Sequence, residues 1–135
     1  MDQMTQTATN RPSSDELATT PSIPGIQMRE GLARFAGDQN RYNHWLRDFV
    51  THGPAAVEQI RQAASNGSHE AAAKLAHALK GRTGMLGMSE LFSIAMSLET
   101  CLTDSEPYLF WLDEMDRAIA DICTNIVAVL GHPDD

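Results

Sequence analysis

Between Leu112 and Val129 the apolar residues recur by alternate steps of three and four: Leu112, Met115, Ile119, Ile122, Ile126 and Val129. At about 100° per residue this spacing keeps all six on one side of a helix about five turns long. A strand would send alternate positions to opposite faces and break the stripe. A seam of this length has to be buried, and further helices lying along it bury it best. No period-two apolar run competes anywhere in the chain, and Gly131 and Pro133 close the pattern.

The preceding segments supply those partners. Met28, Leu32 and Phe35 fit a short amphipathic helix, with Gly37 as its stop and Asp38 as the N-cap of the next one. Tyr42, Leu46, Phe49 and Val50 follow at i, i+4, i+7 and i+8; Gly53 and Pro54 are then expected to break the run, which restarts toward Ala64. After Asn66 and Gly67, Ser68 is expected to cap a helix that opens on Ala71, Ala72 and Ala73 and ends at Gly87. Another runs from about Ser89 to Leu102 with Leu91, Ile94, Leu98 and Cys101 on one stripe, and Asp104 or Ser105 is expected to cap the last. The fold class is therefore all-α, an antiparallel four-helix bundle with one or two short N-terminal helices capping an end. Residues 1–24, with Pro12, Pro21 and Pro24 and few large apolar side chains, are expected to be a flexible arm or linker, leaving residues 25–132 as the folded domain.

Composition narrows the function. A chain of 135 residues with 42% apolar content suits one domain with a modest core. A formal net charge of −8 argues against nucleic-acid binding, which calls for a basic stripe. No apolar run is long enough to insert into a bilayer, and the opening MDQMTQTATN has no secretory pattern, so a cytoplasmic location is expected. Cys101 and Cys123 lie in apolar helical patterns, as small buried residues would. His44, His52, His69, His77 and His132 form no H-x-x-x-H spacing, so no metal site is expected. Trp45, Trp111 and Tyr108 are expected to pack at bundle ends.

The segment AHALKGRTGMLG, residues 76–87, is the exception to ordinary helix composition. His77, Lys80, Gly81 and Gly84 share one stripe, with Lys74 on its flank, while Leu75, Leu79 and Leu86 point the opposite way. Each glycine costs roughly 1 kcal/mol relative to alanine inside a helix, so two on the His77 face suggest that something must approach the backbone there. Lys74, Lys80 and Arg82 place three of the ten Lys and Arg residues around the histidine, reversing the overall sign of charge as a transferable phosphoryl group would require. Counted from the turn near Met88, His77 and Glu99 stand at one level of a hairpin, so Glu99 can orient the histidine or balance Lys80, or simply be an exposed acid.

The run H-x-L-K-G followed by small residues and L-G, carried by His77, Leu79, Lys80, Gly81, Gly84, Leu86 and Gly87, resembles the core of histidine phosphotransfer (HPt) domains of bacterial phosphorelays. The resemblance extends through residues 31–50 and 91–99 and covers most of the chain after about Ile23. It implies that Nε2 of His77 takes a phosphoryl group from a receiver-domain aspartate and passes it to another, with Lys80 stabilising the phosphoryl oxygens. The shared stripe and the hairpin level suggest supporting roles for Lys74, Gly81, Gly84 and Glu99. The partners would be receiver domains of response regulators or of a hybrid histidine kinase, and those domains, not this chain, would hold Mg²⁺; no cofactor of its own is expected. Arg82 stands where the family commonly has something smaller, which points to partner choice; Met85 and Met88 join it as candidate partner-binding residues, with core packing an equal explanation for both. The resemblance suits a free-standing protein or the C-terminal module of a hybrid sensor kinase tethered to a membrane. A stand-alone kinase is not expected, since no glycine-rich nucleotide pattern follows. The alternative is a non-catalytic helical module that docks or dimerises, with His77 an ordinary surface residue.

Overall fold

The computed structural model describes residues 22–133, so the expected arm lies outside the described residues apart from its last three positions. Of those three, Ile23 is buried in the core and the Pro24 carbonyl accepts a hydrogen bond from Asn125 Nδ2 at 3.0 Å, so packing begins before residue 25. The described residues form five helices and no strand: α1 (Met28–Arg34), α2 (Gln39–Ser65), α3 (His69–Met85), α4 (Ser89–Thr103) and α5 (Leu109–Leu130). Contacts run α2 to α3, α3 to α4, α4 to α5 and α5 back to α2, closing a four-helix bundle, and those between α3 and α4 are the most extensive. Short connections make consecutive helices antiparallel, and α1 covers one end.

Helix starts and stops follow local chemistry in part. Asp38 accepts the Arg41 N–H at 3.1 Å and opens α2 as a capping aspartate should. Ser68 makes no such side-chain bond; its own N–H instead closes the preceding turn onto the Ala63 carbonyl at 2.9 Å. Neither Asp104 nor Ser105 caps the last helix, which starts after Tyr108 because Pro107 holds the chain extended for longer.

Pro54 does not break the chain. Helix α2 runs for 27 residues straight through it. A mid-helix proline costs about 3 kcal/mol, but Tyr42, Leu46 and Phe49 before it and Val57, Ile60 and Ala64 after it are buried along one continuous stripe. Burying a side chain of the Val or Ile kind contributes about 1.5 to 3 kcal/mol, so keeping the second half in register outweighs the break. Gly53 is buried beside it with the Phe49 ring across its Cα, where an added Cβ would lie 2.7 Å from Phe49 Cε2.

The seam predicted in α5 holds for Leu112, Met115, Ile119, Ile122 and Ile126, but Val129 is 42% exposed, beyond the point where neighbours cover the helix. Cys101 and Cys123 are free and only half-buried, and burial pushes the Cys123 thiol up to about 11. Tyr42 is wholly buried, and its hydroxyl donates to the Leu86 carbonyl at 2.7 Å. Burial raises that hydroxyl to about 12, so it remains a donor throughout the physiological range. Gly31 presses on the same oxygen: a Cβ there would overlap Tyr42 Oη. Replacing Tyr42 by Phe leaves the Leu86 carbonyl without its partner and is expected to cost about 1 to 2 kcal/mol, and Gly31→Ala a similar amount through overpacking. In urea unfolding the double variant should lose somewhat less than the sum, because Tyr42→Phe removes the nearest of the Tyr42 atoms that the new methyl group strikes, although the ring carbons Cζ and Cε1 remain in its way.

Candidate functional site

The long α3–α4 contact is what assembles the charged cluster. Leu79 and Leu86 are buried and Leu75 packs half-buried against the core, which turns His77 outward with its side chain 66% exposed. Gly87 lies at φ +81°, and an added Cβ would stand 2.6 Å from the Gln27 carbonyl oxygen. The turn is therefore tight, and the Gln27 N–H donates to the Gly87 carbonyl at 2.7 Å, fastening the N-terminal segment beneath it.

From that turn the two helices run back side by side, and Glu99 of α4 comes level with His77 of α3. Glu99 Oε2 is 2.9 Å from His77 Nδ1, and Glu99 Oε1 is 2.9 Å from Lys80 Nζ. Each carboxylate oxygen thus holds one nitrogen. The carboxyl is held below the usual carboxylate range, first by the Lys80 hydrogen bond, with His77 adding to it and partial burial opposing it. An ionised carboxylate can only accept, so Nδ1 carries the donated hydrogen and, in the neutral ring, the lone pair is on Nε2.

This arrangement corrects a simpler expectation. Lys80 does not act on the ring as an unscreened positive neighbour, because Glu99 stands between them and pairs with both. Lys74 is further removed: 78% exposed and 3.9 Å from Glu70, it lines the same shallow cleft as His77 without touching it.

The two glycines part company. Around Gly81 an added Cβ would meet nothing within 4 Å, so the backbone is open to an approaching surface. At Gly84 it would stand 3.0 Å from the Phe92 ring of α4, so Gly84 serves helix packing instead of approach. Met88 is fully buried and cannot belong to a docking surface; the N–H that precedes α4 donates from it to the Thr83 carbonyl at 2.9 Å. Met85 is 51% exposed and Arg82 is exposed, as a partner-facing pair would be. Trp45, expected at a bundle end, is instead 42% exposed on α2 and lines a groove with Met85, Arg82 and Gly81. Its i+3 spacing from Tyr42 and its position next to Leu46 were compatible with burial, and only the path of α3 shows otherwise.

The Hpt domain family matches residues 44–128, well over half of the chain. The chain belongs to the Hpt domain family. Compared with curated proteins and with solved structures, it has no match. Membership agrees with the all-helical architecture and links the domain to histidine phosphotransfer in phosphorelays. Among the described residues no group of three or more His, Cys, Asp or Glu is placed to hold a metal ion, and no helix is long and apolar enough to cross a membrane.

Two outcomes follow from the geometry. Gly81→Ala should stabilise the Hpt domain by up to about 1 kcal/mol, whereas Gly84→Ala should gain less or lose, since Phe92 must move; paired thermal melts separate them. Glu99 has a folded-state pKa below its unfolded value, so its contribution is full above the ordinary carboxylate range and fades as pH falls through the depressed value. Glu99→Gln should therefore flatten the acid limb of a stability-against-pH curve and leave its alkaline limb in place.

Proposed function

We propose that this Hpt domain is a phosphocarrier in which Nε2 of His77 accepts a phosphoryl group from a receiver-domain aspartyl phosphate and later returns it to the aspartate of another receiver. The observation that carries this is the carboxylate clamp: Glu99 holds Nδ1 at 2.9 Å while the rest of the ring is turned to solvent. An imidazole fixed through one nitrogen presents the other in a constant direction, and in phosphoryl transfer alignment and charge stabilisation supply most of the rate.

The step balances without a further reactant. The Nε2 lone pair forms the N–P bond as the acyl phosphate P–O bond breaks, and the aspartate leaves as a carboxylate. Nδ1 keeps its hydrogen, so the phosphorylated ring carries a positive charge that the facing Glu99 carboxylate offsets. Lys80 has three ammonium donors and directs one to Glu99, leaving others for phosphoryl oxygens. Gly81 admits the loops of the receiver. Glu99 is a positioning residue in this scheme, and Lys74 adds only long-range positive potential from the cleft rim.

The working unit is the bundle of residues 25–132 with Ile23 tucked beneath it, acting in the cytoplasm either free or tethered to a sensor kinase. Its partners are receiver domains, and phosphate comes from them and not directly from ATP.

The test mixes the purified chain with receiver domains charged at their aspartates, followed by intact mass and peptide mapping at alkaline pH. Phosphate should appear on His77 and be absent from His77→Gln. Failure to acquire phosphate from any receiver of the same organism, by a protein shown to be folded, would leave a docking module as the function. Glu99→Ala should slow transfer on the order of tenfold to 100-fold through lost alignment, with Glu99→Gln recovering part of it because its amide oxygen can still accept from Nδ1. Lys80→Ala should slow transfer with a stability loss on the order of 1 kcal/mol, its ion pair with Glu99 being partly buried.

A further inference from the structure

Leu109 and Phe110, at 60% and 64%, are the most exposed large apolar side chains among the described residues. They open α5, where local chemistry calls for the opposite. A helix start favours a capping side chain and acids in its first turn, yet Tyr108 makes no side-chain cap bond and the first turn of α5 holds no acid. The seam does not require Phe110 either, because it lies about 200° round the helix from the buried Leu112 and points away from the core. A position that breaks local rules without a gain in packing marks a place where the bundle meets something outside itself.

The pair sits on a fixed base. The Phe110 ring stands edge-on to Trp111 with centroids 4.9 Å apart, and Tyr108 meets His69 of α3 in the same manner at 5.7 Å. Trp111 and Tyr108 are half-buried against the core. The loop before them is closed as well: Ser105 takes φ +57° and the Glu106 N–H donates to the Cys101 carbonyl at 2.8 Å, the two marks of a Schellman ending on α4. A surface so pre-organised loses little freedom when it is covered.

Charge selects the occupant. Residues 104–116 contain five acids and no Lys or Arg. Arg61 and Arg117 pair with Asp113, Glu114 and Asp116, but the carboxylates of Asp104 and Glu106, just before the apolar pair, have no hydrogen bond or ion pair. Glu30 is the one other described acid of that kind, and no large apolar residue of α1 is exposed beside it. A second copy would bring like charge against this corner, as would nucleic acid or an anionic bilayer. The chain's own residues 1–21 carry Arg11 against Asp2, Asp15 and Glu16, so they too are repelled. A surface that is apolar at its centre and basic around it is attracted.

The corner is also clear of His77. With neighbouring helices 8 to 10 Å apart, the opposite corners α3 and α5 are separated by about 13 Å, and His77 stands about 12 Å along the axis from the level of His69 and Tyr108. The two places are therefore about 18 Å apart and face outward on different sides. We propose that the first turn of α5, Leu109 and Phe110 with Asp104 and Glu106 beside them, docks a protein segment that presents a large apolar side chain flanked by Lys or Arg, and so holds the domain with its His77 face uncovered. This surface does not depend on the phosphocarrier function.

A synthetic amphipathic helical peptide of Leu and Lys, titrated into the isotope-labelled full chain and followed by amide NMR, tests it. Residues 104–111 should shift and those around His77 should not. Affinity should fall about tenfold in Phe110→Ser and in Asp104→Lys/Glu106→Lys, both confined to exposed side chains, and should fade with salt. A peptide of Leu and Glu with the same spacing should not bind. Met96→Ala, an exposed apolar residue of α4, and His77→Gln should bind the Leu and Lys peptide as the unmodified chain does. No binding, shifts centred on another face, or unaltered affinity in both α5 variants would overturn the proposal. Equal binding to phosphatidylglycerol vesicles, or self-association in sedimentation that Phe110→Ser abolishes, would reassign the surface to a bilayer or a second copy and overturn it too. Peptide binding by a chain that takes no phosphate from any receiver would leave the docking surface standing and remove only the phosphocarrier.

Discussion

The register between α3 and α4 is the constraint on which the site depends. It is set at the turn around Gly87, whose φ of +81° and contact with the Gln27 carbonyl leave no room for a side chain. Sliding either helix by one residue would move its Cα by about 1.5 Å and rotate it by about 100°, enough to separate Glu99 from both His77 and Lys80. The clamp around the imidazole thus originates in a backbone turn ten residues from His77 and twelve from Glu99, and the buried Tyr42 hydroxyl, bonded to the Leu86 carbonyl, holds that turn against α2. Fold and site share these contacts, so Gly31, Tyr42 and Gly87 act on the chemistry without approaching it.

Placing Glu99 between two cations alters the electrostatic account of the site. Sequence spacing alone makes Lys80 an unscreened positive neighbour of the His77 ring. The structure interposes an anion that accepts from both groups, which favours a fixed tautomer over a bare positive field. The benefit is directional. In the phosphocarrier we propose, a carboxylate facing Nδ1 would oppose the positive charge that develops on the ring as Nε2 takes a phosphoryl group, and would keep Lys80 within reach of the incoming oxygens.

Much of this was legible in the chain because helices report themselves by period. The all-α class, the antiparallel bundle, the Asp38 cap, the outward face of His77 and its level with Glu99 all follow from counting residues. The failures have a common physical origin: they concern which side of a helix a neighbour covers. Met88 was grouped with Met85 as adaptable surface, yet one is buried and the other exposed, because the chain turns inward at Gly87 between them. Gly84 shares the stripe of Gly81 but faces Phe92, a residue that only tertiary packing brings there. Pro54 carried a strong local signal, and the stripe of Tyr42 to Ala64 outweighed it. Local propensity is worth a few kcal/mol, and a buried face running the length of a bundle is worth more.

His77 therefore stands between two flanks of different character. On the α4 side lie Glu99 and Lys80, a compact set that fixes one ring nitrogen and holds a cation in reserve. On the α2 side lie Trp45, Met85, Arg41 and Arg82, all exposed, the two arginines without an ion pair. Only the first set has geometry tight enough to act on bond-making, where errors of an ångström matter; the second offers area and charge, which govern encounter and residence. The side chains on the α2 flank make no contact with Glu99, whereas on the α4 flank Glu99 holds both His77 and Lys80, so a change there disturbs the imidazole directly.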